Sequence, residues 1–448
     1  MRIIALIFYN IFFPILFIFY LPVFITKLVK RGDFKEDFWE RFGFFSASKK
    51  KDLKRLQNPI WIHAVSVGET IAALSFLRGW NKKDPDLNFV LSTTTSTAQK
   101  IAKKQSPANV IPIYCPIDFF ICVLSTLNAL KPQMLIIFEV EVWPNLIVLT
   151  AWRKIKLALV NCRMSDKSAQ GYSRHRWFFN HIFSRFSLIC TQTEEDACRI
   201  KSIIGDKPYI KVCNTMKFDQ VTDSQSDSIS SPIDTVFPDK NRLIFIAGST
   251  HPGEEVIMVK AFKSLVVDFP SLNFILAPRH AERTYEVEKI LKKEDMDYVL
   301  LTELKESLKN VNSAISKEII NQGKAKRKVL LVNTTGDLMG LFAVSDIVFM
   351  GKSLCGVKGG HNIIEPAIYG KPVIFGSNMD NFRQVVKIFK DNKAAVEVKN
   401  EQEFCRTLRR LLSDPAEREC LSRISREVVE KNRGAINKTI DLLRGNND

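Results

Sequence analysis

The sequence predicts an α/β protein in which two doubly wound parallel-sheet domains face a cleft, with a hydrophobic membrane-anchor helix at the amino terminus. Three observations lead there. Short Val/Ile/Leu-rich runs alternate with amphipathic stretches through two successive regions, as buried parallel strands and their crossover helices do. Between the regions, from Asp219 to Lys240, the text turns to Ser, Asp, Thr and Pro, the composition of a linker. A chain of 448 residues also exceeds one ordinary core, so two domains are the natural division.

The first expected element is a membrane anchor over residues 1–30. No charge falls between Arg2 and Lys27, and Ile, Leu and Phe dominate. About 20 apolar residues cross a bilayer as a helix, and Pro14 and Pro22 would kink it in a way membrane helices tolerate. A cleaved signal peptide fits less well, because the run is long and no small-residue cleavage site follows. Lys27, Lys30, Arg31 and Lys35 follow the run against Arg2 before it, which places the rest of the chain on the cytoplasmic side. Shallow monotopic insertion stays open beside a full span.

Residues 31–222 form the expected first domain, with strands at Trp61–Val65, Phe89–Ser92, Val110–Ile113, Met134–Phe138, Leu157–Val160 and Leu188–Thr191. A linker at 223–240 follows. The pattern restarts over 241–415, with strands at Leu243–Ala247, Phe274–Ala277, Val329–Val332, Ile347–Met350 and Pro372–Phe375. Helices over 416–448 are expected to pack back on the first domain. The basic stretch Lys324–Lys328 reads as a solvated loop.

Composition is that of a globular protein, with 46% hydrophobic and 25% charged residues. The net charge of +17 implies an anionic partner: nucleic acid, a phospholipid surface or a phosphorylated substrate. Nine cysteines without a C-x-x-C pair argue against zinc and against a disulfide framework, and fit a reducing compartment. No Walker lysine and no G-x-G-x-x-G occur, so neither an NTPase nor a Rossmann dehydrogenase is indicated. Asp84-Pro85-Asp86 reads as a polar turn, the six histidines show no ligand spacing, and His63 reads as core. No metal is expected.

Ligands of such sheets bind beyond the carboxyl ends of the strands, and that position selects the candidates. Glu69 follows the first strand in Ser66-Val67-Gly68-Glu69. This is the S-x-x-E spacing of a helix capping box, and equally the place for a general base. Glu139 and Glu141 follow Met134–Phe138, where one of the two suits a structural ion pair. Lys217 ends the domain, either on the surface or where it meets a leaving phosphate. In the second half, Gly248-Ser249-Thr250-His251-Pro252-Gly253-Glu254-Glu255 joins a strand to a helix and suits capping as well as anion binding. Pro278 and Arg279 end another strand; the arginine is either solvated or placed for a phosphate or carboxylate. Gly336-Asp337-Leu338 reads as a turn at a strand end. In Gly359-Gly360-His361-Asn362-Ile363-Ile364-Glu365, the paired glycines exceed what capping needs and favour a phosphate-bearing ligand, with Glu365 placed for ribose hydroxyls.

With these segments in view, the chain resembles the 3-deoxy-D-manno-octulosonic acid (Kdo) transferases of lipopolysaccharide assembly, glycosyltransferases of the GT-B fold with two Rossmann-like domains. The likeness runs through Glu40-Arg41-Phe42-Gly43, His63-Ala64-Val65-Ser66-Val67-Gly68-Glu69, Glu139-Val140-Glu141-Val142-Trp143-Pro144-Asn145, Asn161-Cys162-Arg163-Met164-Ser165 and Lys217-Phe218-Asp219. It continues through Ser249 to Glu255, Pro278-Arg279-His280, Gly359-Gly360-His361-Asn362 and Asn381-Phe382.

The resemblance implies an inverting transfer of Kdo from CMP-Kdo to the lipid A precursor, lipid IVA. It implies Glu69 as general base, with Glu139 and Lys217 supporting the transition state. Pro278, Arg279, Gly336, Asp337, Leu338, Asn362, Ile363, Ile364 and Glu365 would line the CMP site. It implies no cofactor and no metal, partners in CMP-Kdo, lipid A precursor and inner-membrane phospholipid rather than nucleic acid, and a place on the cytoplasmic side of a bacterial inner membrane. The chain departs from the family pattern at Ala98, at Asn214-Thr215, at Asp337 where glutamate is common, and at Lys352 where glycine is preferred. The competing readings are another GT-B enzyme using a UDP-sugar, and a basic membrane-tethered binding protein.

Overall fold

Uninterrupted aliphatic runs become strands buried on both faces, and the stretches between them become the covering helices. The computed structural model describes residues 2–30, 37–221, 230–309, 329–356 and 358–445. Residues 223–229 of the expected linker and the basic stretch Lys324–Lys328 lie outside these. The chain divides into two units, Met1–Gln220 with Asn432–Asp448, and Val221–Lys431.

The first unit holds β1 (Ile60–Ala64), β2 (Phe89–Thr93), β3 (Val110–Tyr114), β4 (Met134–Phe138), β5 (Lys156–Cys162), β6 (Leu188–Thr191) and β7 (Ile210–Val212). They form one parallel sheet ordered β3-β2-β1-β4-β5-β6-β7. The register pairs Trp61 with Val90 on one side and with Leu135 on the other. Trp61, Phe76, Phe89 and Phe138 are fully buried in this unit, on the sheet and the helix Val67–Lys83 that covers it.

The second unit repeats the plan with β8 (Leu243–Thr250), β9 (Leu272–Pro278), β10 (Tyr298–Leu300), β11 (Val329–Leu331), β12 (Ile347–Met350), β13 (Val373–Gly376) and β14 (Val396–Val398). Its order is β10-β11-β9-β8-β12-β13-β14, again all parallel. Both sheets are therefore doubly wound, as expected. The three strands that the sequence does not announce, β7, β10 and β14, are three-residue edge strands, and each is incompletely buried.

The carboxyl-terminal helices divide differently from the expected boundary at 416. The helix Pro415–Asn432 belongs to the second unit, and the chain rejoins the first at Asn432. The last helix, Ala435–Arg444, lies on Val67–Lys83, where a Cβ at Gly79 would come within 2.8 Å of Ile436 Cγ2. Asp219 anchors it by accepting the N–H groups of Gly434 and Ile436, each at 2.7 Å. The expected linker also contains structure, since Ser230–Val236 is helical.

The amino-terminal run is one helix, Arg2–Lys30, with Pro14 and Pro22 inside it. Among the described residues no helix is long and apolar enough to cross a membrane, which corrects the expectation of a spanning anchor. The physical reason lies on its inner side, which is committed to the first unit. Tyr9 donates to Asp118 at 2.9 Å, Asn10 and Asn145 exchange amide hydrogen bonds at 2.9 Å, and the rings of Phe13 and Phe17 meet Phe119 edge-on. The other side exposes Ile7, Phe8, Ile11, Phe12, Ile15, Leu16, Ile18, Phe19 and Val23. Of the flanking cations, Arg31 and Lys35 lie outside the described residues, as do the side chains of Lys27 and Lys30.

Candidate active site

Strand order reverses between β1 and β4 in the first unit, and between β8 and β12 in the second. A crevice opens at such a point because successive connections leave on opposite faces. The candidate residues cluster at these two places.

In the first unit, Ser66 caps the helix Val67–Lys83 by accepting the Glu69 N–H at 3.3 Å. Glu69 closes the box: Oε2 accepts the Val65 N–H at 2.8 Å and Oε1 accepts the Ser66 hydroxyl at 2.7 Å. The capping reading of the S-x-x-E spacing is therefore realised. These bonds occupy one lone-pair direction on each oxygen of a group with about four such directions. The residue is only 7% exposed, so its carboxylate is held in one orientation.

Two further carboxylates converge on it. Burial first, and then the Glu69 charge, push Glu139 upward, while Arg163 and Lys217 hold it down. Glu141 is pushed up to about 7 by burial and by Glu69 and Glu139. Lys217 is lowered by burial and by Arg163, with Glu139 opposing. The backbone here is unusual. Glu139, Asn161 and Asn214 all adopt left-handed conformations, with φ of 56°, 51° and 67°, beyond the ends of β4 and β7 and within the last turn of β5. Asparagine visits this region readily, whereas Glu139 holds it only where its surroundings enforce it. Asn161 Oδ1 accepts the Met216 N–H at 3.2 Å, beside Lys217.

The cap, the two further carboxylates, Lys217 and Arg163 thus share one neighbourhood. Arg163 carries no spacing signal of its own, and only its position after a buried strand could have pointed to it. Other sequence candidates are structural. His63 is fully buried, hydrogen-bonded to Ser92 at 3.0 Å and lowered by burial to about 4. Asp84 accepts the Trp80 indole at 3.0 Å and pairs with Arg444 at 3.2 Å, so the D-x-D is a fastened turn. Glu40 accepts the Tyr114 N–H at 2.8 Å, and burial pushes it up to about 7.

In the second unit, one buried carboxylate organises the loops beyond β8 and β12. Glu254 accepts four backbone N–H groups: His251 at 2.9 Å, Lys352 at 2.7 Å, Ser353 at 2.9 Å and Leu354 at 3.0 Å. The loops approach so closely that a Cβ at Gly351 would lie 2.3 Å from the Ser249 carbonyl oxygen. His361 Nε2 comes within 3.3 Å of His251 Nε2, with the rings stacked, and His280 meets His251 edge-on. Arg279 joins them through its N–H to Thr250 O at 3.0 Å. His361 is lowered to about 3 by burial and then by Arg279, His251, Lys352 and His280.

The remaining expected residues divide. Pro278 ends β9, beside Arg279. Glu365 is buried and pushed up to about 7, held down in part by Asn362 and Arg279. Asn362 accepts the Ile364 N–H at 3.2 Å, and the helix after the paired glycines is a single turn, Ile364–Ala367. The glycines also have a packing reason. A Cβ at Gly360 would lie 2.3 Å from Met379 Sδ, and one at Gly359 would lie 2.9 Å from the Asn381 amide. Gly336 adopts φ of 98°, Asp337 pairs with Lys305 at 2.6 Å, and Leu338 begins the helix Leu338–Val344. That His251, Lys352 and His361 form one cluster is not legible in the sequence, because they come from loops about a hundred residues apart.

The family model described as 3-deoxy-D-manno-octulosonic-acid transferase (kdotransferase) matches residues 36–220. A 3-deoxy-D-manno-octulosonic acid transferase of Haemophilus influenzae is 31% identical over 420 residues, which cover 93% of this chain and 92% of that protein. A protein of the same description from Rickettsia bellii is 28% identical over 442 residues, covering 97% and 98%. Among solved structures, the UDP-GlcNAc 2-epimerase of Neisseria meningitidis bound to UDP-GlcNAc is similar with a TM-score of 0.55 and 12% identity, over 86% of this chain and 100% of that one. At that identity the likeness speaks for the fold alone, that of two parallel α/β sheets of GT-B type.

Proposed function

Because the chain belongs to the 3-deoxy-D-manno-octulosonic acid (Kdo) transferase family and is a glycosyltransferase, we propose that it transfers Kdo from CMP-Kdo to the lipid A precursor, with inversion and with Glu69 as general base. The observation that carries the reading is the convergence of Glu139 and Glu141, with Lys217 beside Glu139, on a carboxylate already locked in place at the end of β1. Membership of an enzyme family removes the reading as a non-enzymatic binding protein.

The chemistry follows from the groups. Glu69 takes the proton of the attacking sugar hydroxyl, worth about 10²–10⁴ in rate. The hydroxyl oxygen bonds to the anomeric carbon as the bond from that carbon to the phosphate oxygen breaks. CMP departs with the electron pair, and a single displacement inverts the centre. Glu139, the carboxylate beside the base, stabilises oxocarbenium character in the manner of glycoside chemistry. Lys217 and Arg163 support the transition state with positive potential as the leaving group takes its negative charge. The CMP moiety belongs to the second unit, at Pro278, Arg279, Gly336 to Leu338, and Asn362 to Glu365.

The exposed apolar side of Arg2–Lys30 suits monotopic insertion at the cytoplasmic face of an inner membrane, where the +17 net charge favours anionic phospholipid. The test is direct: incubate the protein with CMP-Kdo and the tetraacylated precursor and weigh the lipid product. A mass gain of one or more Kdo residues is expected, competed by CMP and not by UDP, and unchanged by EDTA. No gain, or competition by UDP alone, defeats the proposal.

A further inference from the structure

We propose that Lys352, with the facing His251–His361 pair and Arg279, forms a phosphate subsite that takes up a proton when a phosphate ester binds. It rests on the donor reading above and adds to it a residue that the family pattern does not supply. Lys352 sits at φ of 59°, a conformation in which L side chains are strained and glycine is not. Its backbone is fixed there from two sides: its N–H donates to Glu254 at 2.7 Å and its carbonyl accepts from Gly360 at 3.0 Å. The side chain turns back over Gly359, where a Cβ would lie 3.3 Å from Nζ. The same Glu254 oxygen also accepts the His251 N–H at 2.9 Å, so one carboxylate sets the lysine and the histidine loop together.

The charges around the pair have one sign. His361 faces Arg279, His251, Lys352 and His280; His251 faces Lys352, His280, Arg283 and Arg279. The nearby acids have other partners, although Glu365 also feels the charge of Arg279. Glu254 accepts four backbone N–H groups, Glu255 pairs with Arg283 at 2.7 Å, and Glu365 is bonded to Asn362. Among the described residues, neither Lys352 nor Arg279 has a carboxylate within ion-pair distance. Two imidazole nitrogens 3.3 Å apart share a single proton while their neighbours are cationic. A phosphate seated among these groups reverses the local potential, so the second imidazole gains a proton as the anion binds. A metal ion suits the place poorly, since among the described residues no third His, Cys, Asp or Glu completes a ligand set.

The experiment is calorimetric titration of the full chain at about pH 7.5, where a phosphate monoester is already dianionic, in two buffers of different ionisation enthalpy. The probes are CMP, cytidine, inorganic phosphate and free Kdo. The wild type is expected to bind CMP with uptake of about one proton. Lys352→Gly, which relieves the backbone, is expected to lower CMP affinity about tenfold, as loss of one charge-assisted contact does, and to leave cytidine unchanged. His361→Gln is expected to abolish the proton uptake. An unchanged CMP-to-cytidine ratio in Lys352→Gly overturns the proposal, as does CMP binding without uptake, or a loss confined to free Kdo. If CMP and cytidine fail to bind while inorganic phosphate binds through Lys352, the nucleotide reading falls and the subsite stands. Failure of phosphate as well overturns both.

Discussion

Glu139 shows at one residue how function and strain are joined. It lies at φ of 56° and is crowded by the charge of Glu69. A left-handed residue costs about 1–2 kcal/mol, and glycine removes that cost together with the like charge. Glu139→Gly is therefore expected to melt at the same or a higher temperature than the wild type, while Kdo transfer falls by about 10²-fold or more. A variant that melts lower and keeps its activity would show Glu139 to be scaffolding. The S-x-x-E spacing was legible in the sequence, but it held two meanings, and the structure shows that the cap is made. Arg163 and Lys352 were not legible as neighbours of the site, because each sits alone in its segment and acquires meaning only beside residues from other strands.

At the scale of elements, long buried strands were read almost to the residue, as at β4, β6 and β12, because an uninterrupted aliphatic run of that length suits little besides a strand covered on both faces. The edge strands β7, β10 and β14 were missed because three half-buried residues leave little pattern. The helix Arg2–Lys30 was found, with spanning and shallow insertion both left open: hydropathy reports its outer side and hides the inner contacts of Tyr9 and Asn10. Each side of this helix carries its own prediction. Leu16→Asp with Phe19→Asp, both on the exposed side, should weaken binding to anionic phospholipid vesicles by about tenfold or more in flotation, at roughly 1.5–3 kcal/mol per buried apolar side chain. Unchanged flotation would separate this face from the membrane.

The inner side predicts a pH dependence. Asp118 accepts Tyr9, Asn145 N–H and Leu146 N–H, yet burial pushes it up to about 7 from 3.8. A carboxyl raised on folding stabilises most below its unfolded pKa, and that contribution is lost as pH rises through the folded value. The stability gap between wild type and Asp118→Asn, measured by urea denaturation, should therefore narrow between about pH 4 and pH 7 and be level above it. A gap that widens over that range would reverse the sign and the assignment.

At the scale of the molecule, the sequence announced two doubly wound sheets, but not where the chain returns. The return is at Asn432, where Asp219 caps the last helix and Ile436, Ile440 and Leu443 are buried. Nothing in the periodicity of Pro415–Asn432 distinguishes it from Ala435–Arg444, since both are amphipathic helices and only tertiary packing assigns them. Truncation after Lys431 should destabilise the first unit by on the order of 3–6 kcal/mol, seen by calorimetry as a transition at lower temperature. An unshifted transition would show that the tail contributes little.

Comparison of Glu69→Gln with Ser66→Ala in single-turnover Kdo transfer separates a base from a cap. Both changes damage the same capping box, at about 1 kcal/mol each, but only the first removes the proton acceptor. Ser66→Ala is expected to melt lower yet transfer Kdo within a few-fold of the wild-type rate, whereas Glu69→Gln should fold and lose about 10²–10⁴ in rate. Equal rates in the two variants would contradict Glu69 as the base.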